Sequence, residues 1–212
     1  LVLRKRNYPD SLDASLLALN EHPIGTRHGN QNSYFVSESG HLPINLTLAR
    51  EFRMVVSRAS DDDSSIILFS VPAGDRQGFI ELMSWDANKN AFNFYRRTAA
   101  QGWVWKGDTG DAIRPRSRDK SCFACHAHGV PIMKELRSPW SNWNSQAANI
   151  PPQAIPSDEI RNSPLFTNRS GAEVLERLLR RWMFDGISSR AGHWDKEPFA
   201  ATVWLRPLFE TV

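Results

Sequence analysis

The chain has 212 residues, 41% of them hydrophobic, and 26 lysines and arginines against 23 acidic residues for a net charge of +3. That composition excludes a disordered polypeptide, and the length allows one domain to bury a core without disulfide staples. With a pI of about 9.1 the chain is mildly basic, too weakly and too unevenly for a nucleic-acid surface, and no run approaches the roughly 18 apolar residues of a membrane-spanning helix.

The start, LVLRKRNYPD, has neither an initiator methionine nor an apolar signal core. We read it as an exported chain whose signal has been removed, placing it in the periplasm or outside the cell. Residues 1–50 combine one helix with loops. DSLDASLLALN offers Asp10 or Ser11 as N-cap, with Leu12, Leu16 and Leu19 at helical spacing. The polar stretch TRHGNQNSYFVSESGHLP reads as loop.

Over residues 51–107 the period changes to two. EFRMVVSRA alternates Phe52, Met54 and Val56 against Arg53, Val55 and Ser57. SIILFSV, GFIELMSW, AFNFYRR and GWVWK follow, separated by turn-rich connections. Five short strands with tight links predict an antiparallel meander. Phe92, Phe94, Trp103 and Trp105 are expected to share one face.

From residue 108 the strand signals stop. A short helix is expected around Cys122, ending near Gly129 and Pro131, and residues 147–168 are proline-rich and expected to wrap the surface. SGAEVLERLLRRWMFDG is the strongest helix. Ser170 and Glu173 form a capping box, Ala172, Leu175, Leu178, Leu179, Trp182 and Met183 an apolar stripe, and Gly186 a stop. Residues 198–212 give a weaker helix signal, and the apolar end WLRPLFETV either packs down or continues into a longer polypeptide. The expected class is α+β: one domain over 1–212, a five-stranded meander followed by a helical and loop-rich half.

The only two cysteines lie in SCFACHAHG, as Cys122-Phe-Ala-Cys125-His126. Three chemistries compete for this pattern. Structural zinc needs four ligands, and the remaining histidines (His22, His28, His41, His128 and His193) form no second pair at ligand spacing. A redox dithiol ordinarily opens a helix in a βαβ unit, where the helix dipole lowers its pKa. Here the preceding segment is the charged loop DAIRPRSRDK, and no βαβ alternation appears. Covalent haem uses every residue. Two thiols one helical turn apart form thioethers to the vinyl groups, and the adjacent imidazole reaches the iron at high effective concentration.

These five residues resemble the attachment motif of the c-type cytochromes. The resemblance implies one covalent haem c, assembly outside the cytoplasm and a one-electron iron couple, with Cys122 and Cys125 as thioether sites and His126 as proximal ligand. A motif placed after an antiparallel sheet also looks like the β-sheet group that includes cytochrome c′-beta and its hydroxylamine-oxidising relatives, in which haem lies against a sheet face.

The sixth iron position separates the functions. His128 points about 200° from His126 along a helix, and Met133 lies on the same side of the ring. Met183 and His193 are the candidate distal ligands, with Met54 and Met83 as strand alternatives. Glu81 and Lys106 become polar neighbours of the iron if the sheet covers the distal face. The leading expectation is electron transfer to a redox partner, with Arg114, Arg116, Arg118 and Lys120 as propionate partners or as a basic rim for an acidic protein. The alternatives are a five-coordinate haem that binds or oxidises a small molecule such as nitric oxide or hydroxylamine, and a sensor or redox domain of a longer protein.

Overall fold

The computed structural model describes residues 8–21, 30–37, 52–60, 65–72, 78–114, 116–117, 120–124, 126, 129–131 and 158–191. Helix α1 spans Leu12–Glu21. Ser11 is its cap: the hydroxyl accepts the Ala14 N–H at 3.1 Å, and the Ser11 carbonyl accepts the Ser15 N–H at 3.0 Å. Leu12 and Leu16 are buried, as their spacing requires.

Six strands follow, β1 (Asn30–Ser37), β2 (Phe52–Ala59), β3 (Ile66–Pro72), β4 (Phe79–Asp86), β5 (Ala91–Thr98) and β6 (Gly102–Asp108). They form one antiparallel sheet in sequence order. The expected five strands are therefore joined by a sixth, β1, in the stretch whose polarity reads as loop. Tertiary partners satisfy its polar groups. The Ser33 hydroxyl donates to the Leu165 carbonyl at 2.6 Å, and buried Tyr34 meets Ser57 Oγ at 3.3 Å across the β1–β2 pair. With the Ser33 and Tyr34 hydroxyls matched, the strand forms despite low β-propensity.

Alternation gives the sheet two faces, each with its own core. One face carries Met54, Val56, Phe69, Val71 and Ile80 under α1 and Phe166. The other carries Ala59, Ile66, Leu68, Met83, Phe92 and Phe94 under Cys122, Phe123, Leu175, Leu179 and Trp182. Phe92, Phe94, Trp103 and Trp105 do not share a face. Phe94 pairs with Gly107 but Tyr95 pairs with Trp105, leaving Lys106 as an extra residue. This β-bulge shifts the parity of β6, so Trp103 and Trp105 point away from Phe92 and Phe94. Trp103 packs against the α1-side core and donates its indole N–H to the Pro9 carbonyl at 2.7 Å.

Beyond the sheet lie short helices α2 (Asp158–Asn162) and α3 (Pro164–Thr167) and the long α4 (Ala172–Ala191). Part of the proline-rich stretch thus enters the core: Phe166 is buried and meets Phe35 edge-on at 5.3 Å. Helix α4 starts at Ala172, one residue later than the capping box requires. Ser170 turns instead to β1, donating its N–H to the Ser33 carbonyl at 2.8 Å and facing Asn32 with its hydroxyl. The helix also runs through Gly186 rather than stopping there. Leu175, Leu179 and Trp182, at i, i+4 and i+7, form its buried stripe. No described helix is long and apolar enough to cross a membrane. The segments 132–157 and 192–212, with the C-terminal helix expectation, lie outside the described residues.

Candidate functional site

The segment carrying the motif is a series of tight turns held to the end of the sheet. Asp108 opens it, its carboxylate accepting the N–H groups of Gly110 at 3.0 Å and Asp111 at 3.3 Å. Buried Thr109 is the clamp. Its hydroxyl accepts the Phe92 N–H at 2.8 Å and donates to the Gly129 carbonyl at 2.7 Å, tying the chain on both sides of the motif to β5. Two glycines allow this closeness. A Cβ on Gly107 would lie 2.9 Å from Asp111 Oδ2, and one on Gly129 2.7 Å from the Thr109 backbone; both have positive φ.

Cys122 lies in a 3-10 turn, Ser121–Ala124, rather than in the expected helix. It is buried and makes no disulfide. Burial pushes its thiol pKa up, Glu81 adds to this, and Arg96, the Ser121 side chain and Lys106 oppose it. A protonated, enclosed thiol is a poor redox nucleophile. The neighbouring Phe123 fixes the turn by meeting Phe94 edge-on at 5.1 Å.

The His126 N–H donates to the Cys122 carbonyl at 2.9 Å, which closes one turn from the first cysteine to the histidine. The imidazole is half-buried and its ring centre lies 5.6 Å from that of Phe94. Nδ1 is 3.0 Å from the Val130 carbonyl. A carbonyl only accepts, so Nδ1 carries the proton and Nε2 keeps its lone pair. Burial lowers the imidazole pKa; Glu81 and the Val130 bond work against this, and Arg53 with it.

The same face of the sheet carries a charged trio. Glu81 accepts from Arg53 Nη1 and from Arg96 Nη2, each at 2.9 Å, with side chains 24%, 18% and 27% exposed. Both guanidinium groups stack on Phe79, at 5.4 and 5.2 Å. Arg53 also donates to Ser70 at 3.2 Å. Of the candidates named from sequence, Glu81 belongs to this trio, Lys106 is the bulge residue of β6, and Met83 is buried opposite Phe94. Met54 lies on the other face of the sheet, in the core under α1, away from His126.

Arg114 and Arg116 lie exposed on the preceding loop, Arg114 bonded to Asp111 at 2.7 Å, and Lys120 is exposed too. Cys125, Arg118, His128, Met133 and His193 lie outside the described residues, as do the histidines His22, His28 and His41; Met183 lies in α4 with its side chain outside them. Among the described residues, no three of His, Cys, Asp and Glu cluster as a metal group.

Nothing in the local sequence marks Arg53, Arg96 or Thr109 as parts of this region. Their roles depend on cross-strand register, whereas Gly129, read as a helix stop, carried a local signal for a turn. No family model, curated protein or solved structure matches the chain.

Proposed function

We propose that this chain is an exported c-type cytochrome with one haem c, joined through Cys122 and Cys125, with His126 as proximal ligand, that transfers electrons to an acidic redox partner. The observation that carries the reading is the state of His126. Its Nδ1–H is fixed by the Val130 carbonyl, so Nε2 is left as a neutral donor of the kind that binds iron, one turn beyond a free buried thiol. The donor set and the apolar wall of Phe94 and Phe123 suit a covalently anchored porphyrin. Bound haem c would supply a one-electron iron couple. The protein's part is to orient the imidazole, exclude water with the aromatic core, and present the exposed Arg114, Arg116 and Lys120 as a basic rim.

A specific observation favours the second reading, a five-coordinate haem that binds or oxidises nitric oxide or hydroxylamine. Glu81 faces the same side of the sheet as His126, flanked by Arg53 and Arg96. Polar groups of this kind beside a haem hold hydrogen-bonding ligands.

The test is the mass of the denatured chain from cells equipped for haem attachment. An excess of one haem is expected; a bare mass with free thiols overturns both readings. The ferrous absorption spectrum then divides them. Sharp low-spin bands, lost in Met183→Ala or His193→Ala, support electron transfer with that residue as distal ligand. A high-spin spectrum that responds to carbon monoxide supports the five-coordinate form.

A further inference from the structure

We infer that Thr109 is a positioning residue for His126: acting through Gly129, it sets which imidazole nitrogen carries the proton. Its bearing on iron rests on the haem reading, but the hydrogen-bonded path itself does not. Thr109 has one hydroxyl proton and gives it to the Gly129 carbonyl at 2.7 Å, 20 residues along the chain. The same oxygen accepts the Phe92 N–H at 2.8 Å, and the Thr109 N–H returns to the Phe92 carbonyl at 2.9 Å. Thr109 is buried, so these bonds act in a medium of low dielectric.

Gly129 passes this anchorage to the ring. It is held at a φ of +64°, with its N–H on the His126 carbonyl at 2.8 Å. A Cβ there would meet the Thr109 backbone at 2.7 Å, so the two residues touch backbone to backbone. The next residue, Val130, is buried and precedes Pro131, which disfavours the helical region for it. With Gly129 fixed and Val130 restricted, the Val130 carbonyl is aimed, and it lies 3.0 Å from His126 Nδ1.

The Cys122 carbonyl holds the His126 backbone N–H, not its ring. The ring is oriented by Val130. That bond keeps the proton on Nδ1 and leaves Nε2 as the donor atom. Removing the Thr109 hydroxyl orphans the buried Gly129 carbonyl and frees the turn to carry the Val130 carbonyl off the ring.

The test is exchange of the His126 ring N–H with water, followed by NMR on the full chain with isotope-labelled histidine. The sample is reduced and saturated with carbon monoxide, which keeps any haem iron diamagnetic, and its mass is measured. The wild-type chain should show a slowly exchanging proton on Nδ1. Thr109→Val should speed its exchange by at least about tenfold, and Thr109→Ser should restore it. Leu12→Ala, which weakens the core on the other face of the sheet, should keep the proton slow. Thr109→Ala serves if the valine variant does not fold. A proton on Nε2 in the wild-type chain, unchanged exchange in the Thr109 variants, or equal acceleration in Leu12→Ala overturns the assignment. A haem-bearing chain whose ring proton ignores Thr109 defeats this inference alone. A bare chain in which Thr109 controls that proton defeats the haem reading alone.

Discussion

Thr109 shows how much one hydroxyl can hold. It accepts from the Phe92 N–H and donates to the Gly129 carbonyl, both in a buried setting. Thr109→Val keeps the shape and orphans both groups, so a loss of about 2–3 kcal/mol is expected, read as a lower denaturant midpoint at unchanged m-value. Thr109→Ser should recover most of it. His126 gives a pH prediction for the chain without bound iron. Its folded pKa is depressed below the ordinary 6.5, chiefly by burial. The unfolded chain therefore takes up the proton first. The stability His126 contributes is complete above pH 6.5 and declines as pH falls below it. Unfolding between pH 7 and 5 should show this slope in the wild-type chain and a shallower one in His126→Phe.

At the scale of elements, helix α4 joins the motif to the sheet through one stripe. Leu179 is buried against the core that holds Phe92, Phe94, Cys122 and Phe123. Leu179→Ala should cost about 2–5 kcal/mol, as cavity-forming core substitutions do. Phe184, five residues on, is 70% exposed, and Phe184→Ser should stay within about 0.5 kcal/mol. Equal costs at both positions, measured by chemical denaturation, would show that the helix is rotated from the orientation described. The bulge at Lys106 does comparable work for β6. One unpaired residue sends Trp103 toward α1 and leaves Trp105 53% exposed at the sheet edge. The composition of β6 alone suggested one aromatic stripe, because alternation is legible but its phase relative to a neighbour is not.

For the whole molecule, one sheet separates two cores. The face under α1 carries one of them, and the opposite face packs α4 at one part and bears the motif and the charged trio at another. This division predicts that attachment and ligation can be separated. If haem c is attached as proposed, His126→Ala should leave its mass on the chain while changing the ferrous spectrum, because thioether attachment and iron ligation are separate contacts. Removal of Cys122, buried in the core, should instead lower both haem content and stability.

The strands β2 to β6, α1 and the apolar stripe of α4 could be read from the sequence, since each follows from the spacing of neighbours along the chain. The order Cys122, Cys125, His126 is equally local, and the proposed haem chemistry rests on it. Tertiary structure alone decided that β1 is a strand, that Ser170 serves it instead of capping α4, and that Arg53, Glu81 and Arg96 meet across β2, β4 and β5. Those outcomes depend on hydrogen bonds and register between residues far apart in sequence, and a single bulge reverses which face a side chain occupies without altering the pattern that predicted its strand.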